Sequence, residues 1–297
     1  MTVHILSNVG PDRIDLAYER LGDLAAPPVL LIMGLGTQLI GWPDDFCDAL
    51  VARGLQVIRF DNRDVGLSTH FSSAPVPNFV AALAGDASSA AYNLSAMAAD
   101  AVGLLDALGI GRAHLVGASM GGFIAQTIAI EHPGRVRSLT SIMSSTGDRT
   151  VGQPHPQAMA LFAAPQPTNR DEAIQRTVNA VRVLGSPGFP ADLEAITDRA
   201  ARAYDRAYDP AGLVRQAVAV IASGDRTAGL RSLHVPALVI HGAADPMCDV
   251  SGGRATAAAI PGATLAVFDG MGHDLPRALW PELVSRIAEL VRASSSA

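Results

Sequence analysis

The chain has 297 residues and a formal net charge of −6, with 49% hydrophobic and 17% charged residues, enough apolar material for a large core and not the composition of a disordered chain. All 22 of its Lys+Arg positions are arginine, which excludes Schiff-base aldolase, pyridoxal-phosphate, P-loop and protein-kinase chemistry in their usual forms, since each needs a lysine. The acidic balance and the scattered arginines argue against a partner such as nucleic acid, which selects for a basic patch.

In chain order, Ile14 to Arg20 alternates as a half-buried strand does. Pro28 to Met33 is a continuous apolar run, as in a buried parallel strand. Phe46, Leu50 and Val51 form a helical stripe closed by Gly54. Leu55 to Phe60 is the next strand. Leu94, Met97, Ala101, Leu104, Leu105 and Leu108 recur at helical spacing and end at Gly109. A strand at Ala113 to Val116, a helix at Met120 to Glu131 and a strand at Val136 to Met143 follow. Such alternation implies βαβ units and a parallel sheet with helices on both faces.

The rhythm breaks near Gly147. Helical segments at Gln157 to Ala163, Glu172 to Leu184, Ala191 to Tyr208 and Ala211 to Ala222 are separated by Pro/Gly-rich joints, and no strand pattern intervenes. Alternation resumes at Val235, with strands in PALVIHG and at Ala263 to Phe268, a helix at Ser251 to Ala259 and a last helix at Pro276 to Ala293. The expected organisation is a core of residues 1–146 and 232–297 with a helical cap inserted at 147–231. The terminal SSSA is expected to fray.

Two cysteines, Cys47 and Cys248, have no metal spacing and make no disulfide scaffold, so a cytoplasmic location is expected. The N-terminal residues lack a signal-peptide pattern, and no apolar run reaches the ~18 residues of a membrane span. The histidines show no ligand spacing, so no metal is expected.

Gly117-Ala118-Ser119-Met120-Gly121 is a G-x-S-x-G placed between a strand and a helix. A sharp turn there lifts the Ser119 hydroxyl above the sheet, and the glycines let neighbouring elements approach. A serine hydroxyl needs a base. Asp245, after the strand PALVI, and His273, after ATLAVF, stand in the order serine, acid, histidine at the same sheet edge. Asp249 lies further beyond its strand, and Asp274 reads as a helix-start residue. Met33-Gly34-Leu35-Gly36 follows the strand PVLLI, so the Leu35 N–H can join that of Met120 as an oxyanion hole. Gly34, Trp42, Met159 and Phe162 are candidate pocket residues. Asp61 to Ser68 reads as a turn braced by Arg63 and a neighbouring carboxylate.

The strings MGLGTQLIGWPDDF, FDNRDVGLST, LVGASMGGFIAQ, HGAADPM and GMGHDLP resemble the aclacinomycin methylesterase-like bacterial esterases, within the α/β-hydrolase-fold serine hydrolases. The resemblance spans essentially the full length and implies a mostly parallel eight-stranded sheet with a helical cap. It places nucleophile, acid and base on Ser119, Asp245 and His273 and the oxyanion donors on Leu35 and Met120. It implies hydrolysis of small to medium apolar esters or a methyl ester, with a small-molecule ester as partner and no cofactor. Met33 replaces the histidine of many members of the fold, as it does in the methylesterase-like group. Lactone opening, C–C hydrolysis and cofactor-free perhydrolysis share the same triad, and a non-catalytic binding protein could keep the fold. Haloalkane dehalogenation is disfavoured, since it needs a carboxylate where Ser119 stands.

Overall fold

Strand β3 (Pro28–Ile32) shows how the sheet is built. Leu30 and Ile32 face one hydrophobic cluster, and Val29 and Leu31 the other. All four are fully buried, because alternate side chains point to opposite faces and both faces are covered by helices. The computed structural model describes residues 2–295. Of the terminal SSSA, Ser294 and Ser295 continue the last helix, and the remaining two residues lie outside the described ones.

The other strands are β1 (His4–Val9), β2 (Ile14–Leu21), β4 (Gln56–Phe60), β5 (Ala113–Ala118), β6 (Val136–Ile142), β7 (Ala237–Gly242) and β8 (Thr264–Phe268). They form one eight-stranded sheet in the order β1-β2-β4-β3-β5-β6-β7-β8. Strand β2 is antiparallel to β1 and β4, and the rest pair in parallel. From β3 the chain runs outward to β4, and from its other neighbour β5 outward to β6. The crevice between β3 and β5 is therefore the switch point where ligands bind in such sheets.

The core helices are α1 (Asp44–Val51), α2 (Phe79–Leu83), α3 (Leu94–Ala107) and α4 (Met120–Glu131). The last two of the chain are α10 (Val250–Ala259) and α11 (Trp280–Ser295), preceded by a 3₁₀ turn at Arg277–Leu279 where the sequence suggests helix from Pro276. Helices α3 and α4 pack one sheet face and α1 and α11 the other. Among the described residues, β6 and β7 are joined only through helices: α5 (Pro156–Ala163), α6 (Arg170–Leu184), α7 (Leu193–Arg206), α8 (Pro210–Ser223) and α9 (Thr227–Arg231). Their starts are locally encoded. The Asn169, Asp192 and Asp209 side chains each accept the N–H three residues on, satisfying a donor that the helix leaves free. Helices α6 and α7 pack through Ile174, Val178 and Ala200. No helix among the described residues is long and apolar enough to cross a membrane.

Candidate active site

Ser119 sits between β5 and α4 at φ 55° and ψ −122°, a strained backbone for a residue with a Cβ. Its surroundings hold it there. Its N–H donates to the Ile142 carbonyl at 2.9 Å, and its carbonyl accepts from the Ser144 hydroxyl at 2.7 Å. The turn is tight enough that a Cβ at Gly117 would stand 2.1 Å from the Gly121 carbonyl oxygen, and one at Gly121 would stand 2.0 Å from that of Ile32. Only glycine fits either place.

Asp245 follows β7 and is buried. Its Oδ1 accepts the Met247 and Cys248 N–H groups at 2.8 and 2.9 Å, which fixes the carboxylate plane. Its Oδ2 lies 2.7 Å from Nδ1 of His273, whose Nε2 lies 2.9 Å from the Ser119 Oγ. A carboxylate only accepts, so the proton sits on Nδ1 and the Nε2 lone pair faces the serine hydroxyl. Three side chains from three strand ends, up to 154 positions apart, thus form one hydrogen-bonded relay.

His241 at the end of β7 is fully buried. Burial pushes its pKa below the usual histidine range. Its Nε2 donates to the Cys248 carbonyl at 2.7 Å, bracing the Asp245 loop from below. Asp249 caps α10 through the Ser251 N–H and takes no part in the relay. Asp274 is not a helix-start residue: it accepts a hydrogen bond from Ser186 Oγ, and helical structure resumes three residues later.

The Met33–Gly36 loop lies against Ser119. A Cβ on Gly34 would come within 3.1 Å of the Ser119 Cβ. The loop is fixed from the helical segment, because the Gly36 N–H donates to Gln216 at 2.8 Å and Gln38 Nε2 donates to the Ala203 and Ala207 carbonyls. Met120 opens α4, so its N–H is among the donors that a helix start leaves unpaired, at the positive end of the helix dipole.

Above these groups lies a cavity of about 1390 Å³ lined by Gly34, Leu35, Ser119, Met120, Met159 and Phe162 among others. Trp42 is not in its wall. The 3₁₀ turn at Leu39–Gly41 carries Trp42 into the core, where it is fully buried and stacked on Phe46 with ring centroids 5.7 Å apart. Pro43 beside it does reach the cavity. Phe79, not among the expected pocket residues, stacks its ring on Phe162 at 5.6 Å and lines the cavity. Its signal is Asn78, which caps the short α2 by accepting from the Ala81 N–H.

The Asp61 to Ser68 turn is structural, but its partners are distant. Arg63 pairs with Asp100 at 2.6 and 2.7 Å and with Asp12 at 2.9 Å, rather than with a neighbouring carboxylate. Asp64 takes a two-pronged contact from Arg215 of α8, both at 2.9 Å, and Asp61 binds Arg206 of α7 at 3.0 Å. Asp64, His70 and Asp209 converge as three groups that could hold a metal ion. The Arg215 guanidinium already bonds both carboxylates there, supplying the positive charge from within.

Residues 27–276 match the model of the alpha/beta hydrolase fold family. The chain belongs to that family, and its relatives place it among the carboxylesterase-type hydrolases of the fold. It is 31% identical over 304 residues to a rhodomycin D methylesterase of Streptomyces peucetius, covering 96% of this chain and 97% of that one. A hydrolase structure from Pseudomonas aeruginosa PA01 superposes with a TM-score of 0.71 at 26% identity, covering 100% of this chain and 99% of the other. An esterase structure from Rhodococcus sp. ECU1013 gives 0.74 at 22% identity over 98% and 99% of the two chains, a likeness of fold alone.

Proposed function

We propose that this chain hydrolyses carboxylic esters of apolar small molecules, methyl esters included, through an acyl-enzyme. The observation that carries it is the Ser119–His273–Asp245 relay opening onto the cavity floor. His273 Nε2 takes the Ser119 proton as Oγ attacks the ester carbonyl. The tetrahedral oxyanion rests on the Leu35 and Met120 N–H groups, which stabilise charge only as it develops. His273 returns the proton to the departing alkoxide. Water, deprotonated by His273, then opens the acyl-serine, and the acid leaves. Asp245 holds the imidazole in the Nδ1–H form and stabilises its positive charge. The methylesterase relative extends the reading to methyl esters.

Residues 147–231 act as a cap on the core of 1–146 and 232–297, a division supported by the cavity's walls coming from both parts. Two unpaired cysteines suit a reducing compartment such as the cytoplasm.

The test is Ser119→Ala against wild type on p-nitrophenyl butyrate and on methyl esters of increasing acid size, with fluorophosphonate labelling alongside. Loss of turnover and labelling in a folded variant is expected. Undiminished turnover overturns the assignment.

A further inference from the structure

One arginine of the cavity wall differs from the others in its partners. Five arginines line the cavity: Arg149, Arg176, Arg199, Arg226 and Arg277. Arg176 donates to the Leu161, Ala164 and Pro165 carbonyls. Arg277 pairs with Asp45 and stacks on Trp280. Arg226 bonds Gln126, Gly224 and Ser145 and stacks on Phe123, clasping the two ends of the helical segment. Arg149 is exposed to solvent. Arg199 is half-buried, yet its guanidinium has no hydrogen bond or ion pair among the described residues.

Its position is set by α7. Ile196, Arg199, Ala200, Ala203 and Tyr204 recur at helical spacing and all line the cavity, so Arg199 projects from an otherwise apolar and aromatic face. Burial depresses its pKa, and the Asp192, Asp198 and Asp274 carboxylates act on it only through space, opposed by Arg202. Asp274 is itself bonded to Ser186. The Arg199 nitrogens are not among the fully buried unpaired atoms, so its donors stay accessible from the cavity that Arg199 lines. A guanidinium is the group that binds a carboxylate through two parallel hydrogen bonds.

We infer that Arg199 is a binding site for an anionic group, and that the preferred ester carries a free carboxylate or comparable acidic group on the part of the molecule lodged under α7. The inference rests on the esterase reading above and names the substrate class for that site. Arg199, Ser119 and His273 line the same cavity.

The experiment compares monomethyl esters of dicarboxylic acids with dimethyl esters of the same chain length, on wild type, Arg199→Gln and Arg199→Lys. Wild type is expected to favour the monoacid in kcat/KM. Arg199→Gln should raise KM for the monoacid about tenfold or more, the scale of one charge-assisted hydrogen bond, and leave the dimethyl ester within about twofold. Arg199→Lys should recover part of the loss. Equal effects of Arg199→Gln on both esters, or a wild-type preference for the neutral one, overturn the anion site while leaving the esterase reading intact. Calorimetric binding of the monoacid to Ser119→Ala, with and without Arg199→Gln, reads the site without turnover. If the wild type hydrolyses neither ester, turnover of p-nitrophenyl butyrate decides the esterase reading separately, and binding of the monoacid that disappears with Arg199→Gln still upholds the anion site, whereas binding indifferent to that change overturns it.

Discussion

The backbone N–H of His273 donates to the carbonyl of Leu184 at 2.7 Å, so the last residue of α6 holds the histidine of the relay. Two residues on, the Ser186 hydroxyl accepts the Gly272 N–H at 2.9 Å and donates to Asp274. The Gly188 N–H adds a bond to the Gly270 carbonyl at 2.9 Å. The joint after α6 is thus a clamp on the loop that presents the imidazole, and the helical segment positions the relay as well as covering it.

Ser186→Ala should loosen that clamp. It strands the Gly272 N–H and removes the donor to Asp274, at a cost of about 1–3 kcal/mol. Because the imidazole loses orientation more than the cavity loses contacts, kcat should fall more than KM rises. Denaturant titration and steady-state kinetics on a neutral ester check both. An unchanged kcat in a destabilised variant removes the positioning role.

Arg215 and Asp64 are both buried. Arg215→Met should leave the Asp64 carboxylate, among the described residues, with the Tyr92 hydroxyl and the Phe71 N–H and destabilise by about 3–5 kcal/mol. Adding Asp64→Asn removes the stranded charge, and asparagine tolerates the positive φ of 67° at that position. The double variant is therefore expected to be more stable than Arg215→Met alone. Chemical denaturation of the four proteins measures the coupling.

Gly121→Ala should fail to give folded protein. Its Cβ would stand 2.0 Å from the Ile32 carbonyl oxygen, a backbone atom of the central strand that cannot step aside. Recovery of a stable, soluble variant by expression and circular dichroism would contradict the packing described.

Acid should destabilise the protein through His114. Burial, with Arg137 and Arg112 nearby, lowers its pKa from 6.5 to about 4. The neutral ring contributes fully above the unfolded-state pKa of about 6.5. As pH falls from there to about 4, the unfolded chain binds a proton that the folded one refuses, and stability declines by about 3 kcal/mol at most. Buried His241, also depressed, acts in the same direction. His114→Gln should flatten the dependence of Tm on pH between 7 and 4. An equal slope in wild type and variant would rule out His114 as a source.

Much of the fold was legible in local pattern. Strand β3 shows itself as PVLLI because a strand covered on both faces must be apolar throughout, and α3 shows its stripe because one face alone is buried. Strand β1 and α2 carry no such pattern, since β1 is largely exposed and α2 spans five residues with little periodicity. The G-x-S-x-G turn declares itself because strand, turn and helix lie within about twenty residues, and Asp245 and His273 because each follows a strand.

Other features have no local signal. Trp42 follows the Met33–Gly36 loop in sequence, which suggests a place in the pocket, yet a single 3₁₀ turn sends it to the core. Arg63 announces a brace but not Asp100, and Asp64 gives no hint of Arg215, 151 positions away. The sequence by itself determined the order of the elements and the strand ends on which the reactive residue types stand, because backbone periodicity and turn chemistry act over a few residues. Only the tertiary structure decided that Leu184 and Ser186 hold the His273 loop, which carboxylates Arg59, Arg63 and Arg215 meet, and that Arg199 has no hydrogen bond or ion pair among the described residues. Those outcomes depend on desolvation and on packing between segments far apart in the chain, which no short window encodes.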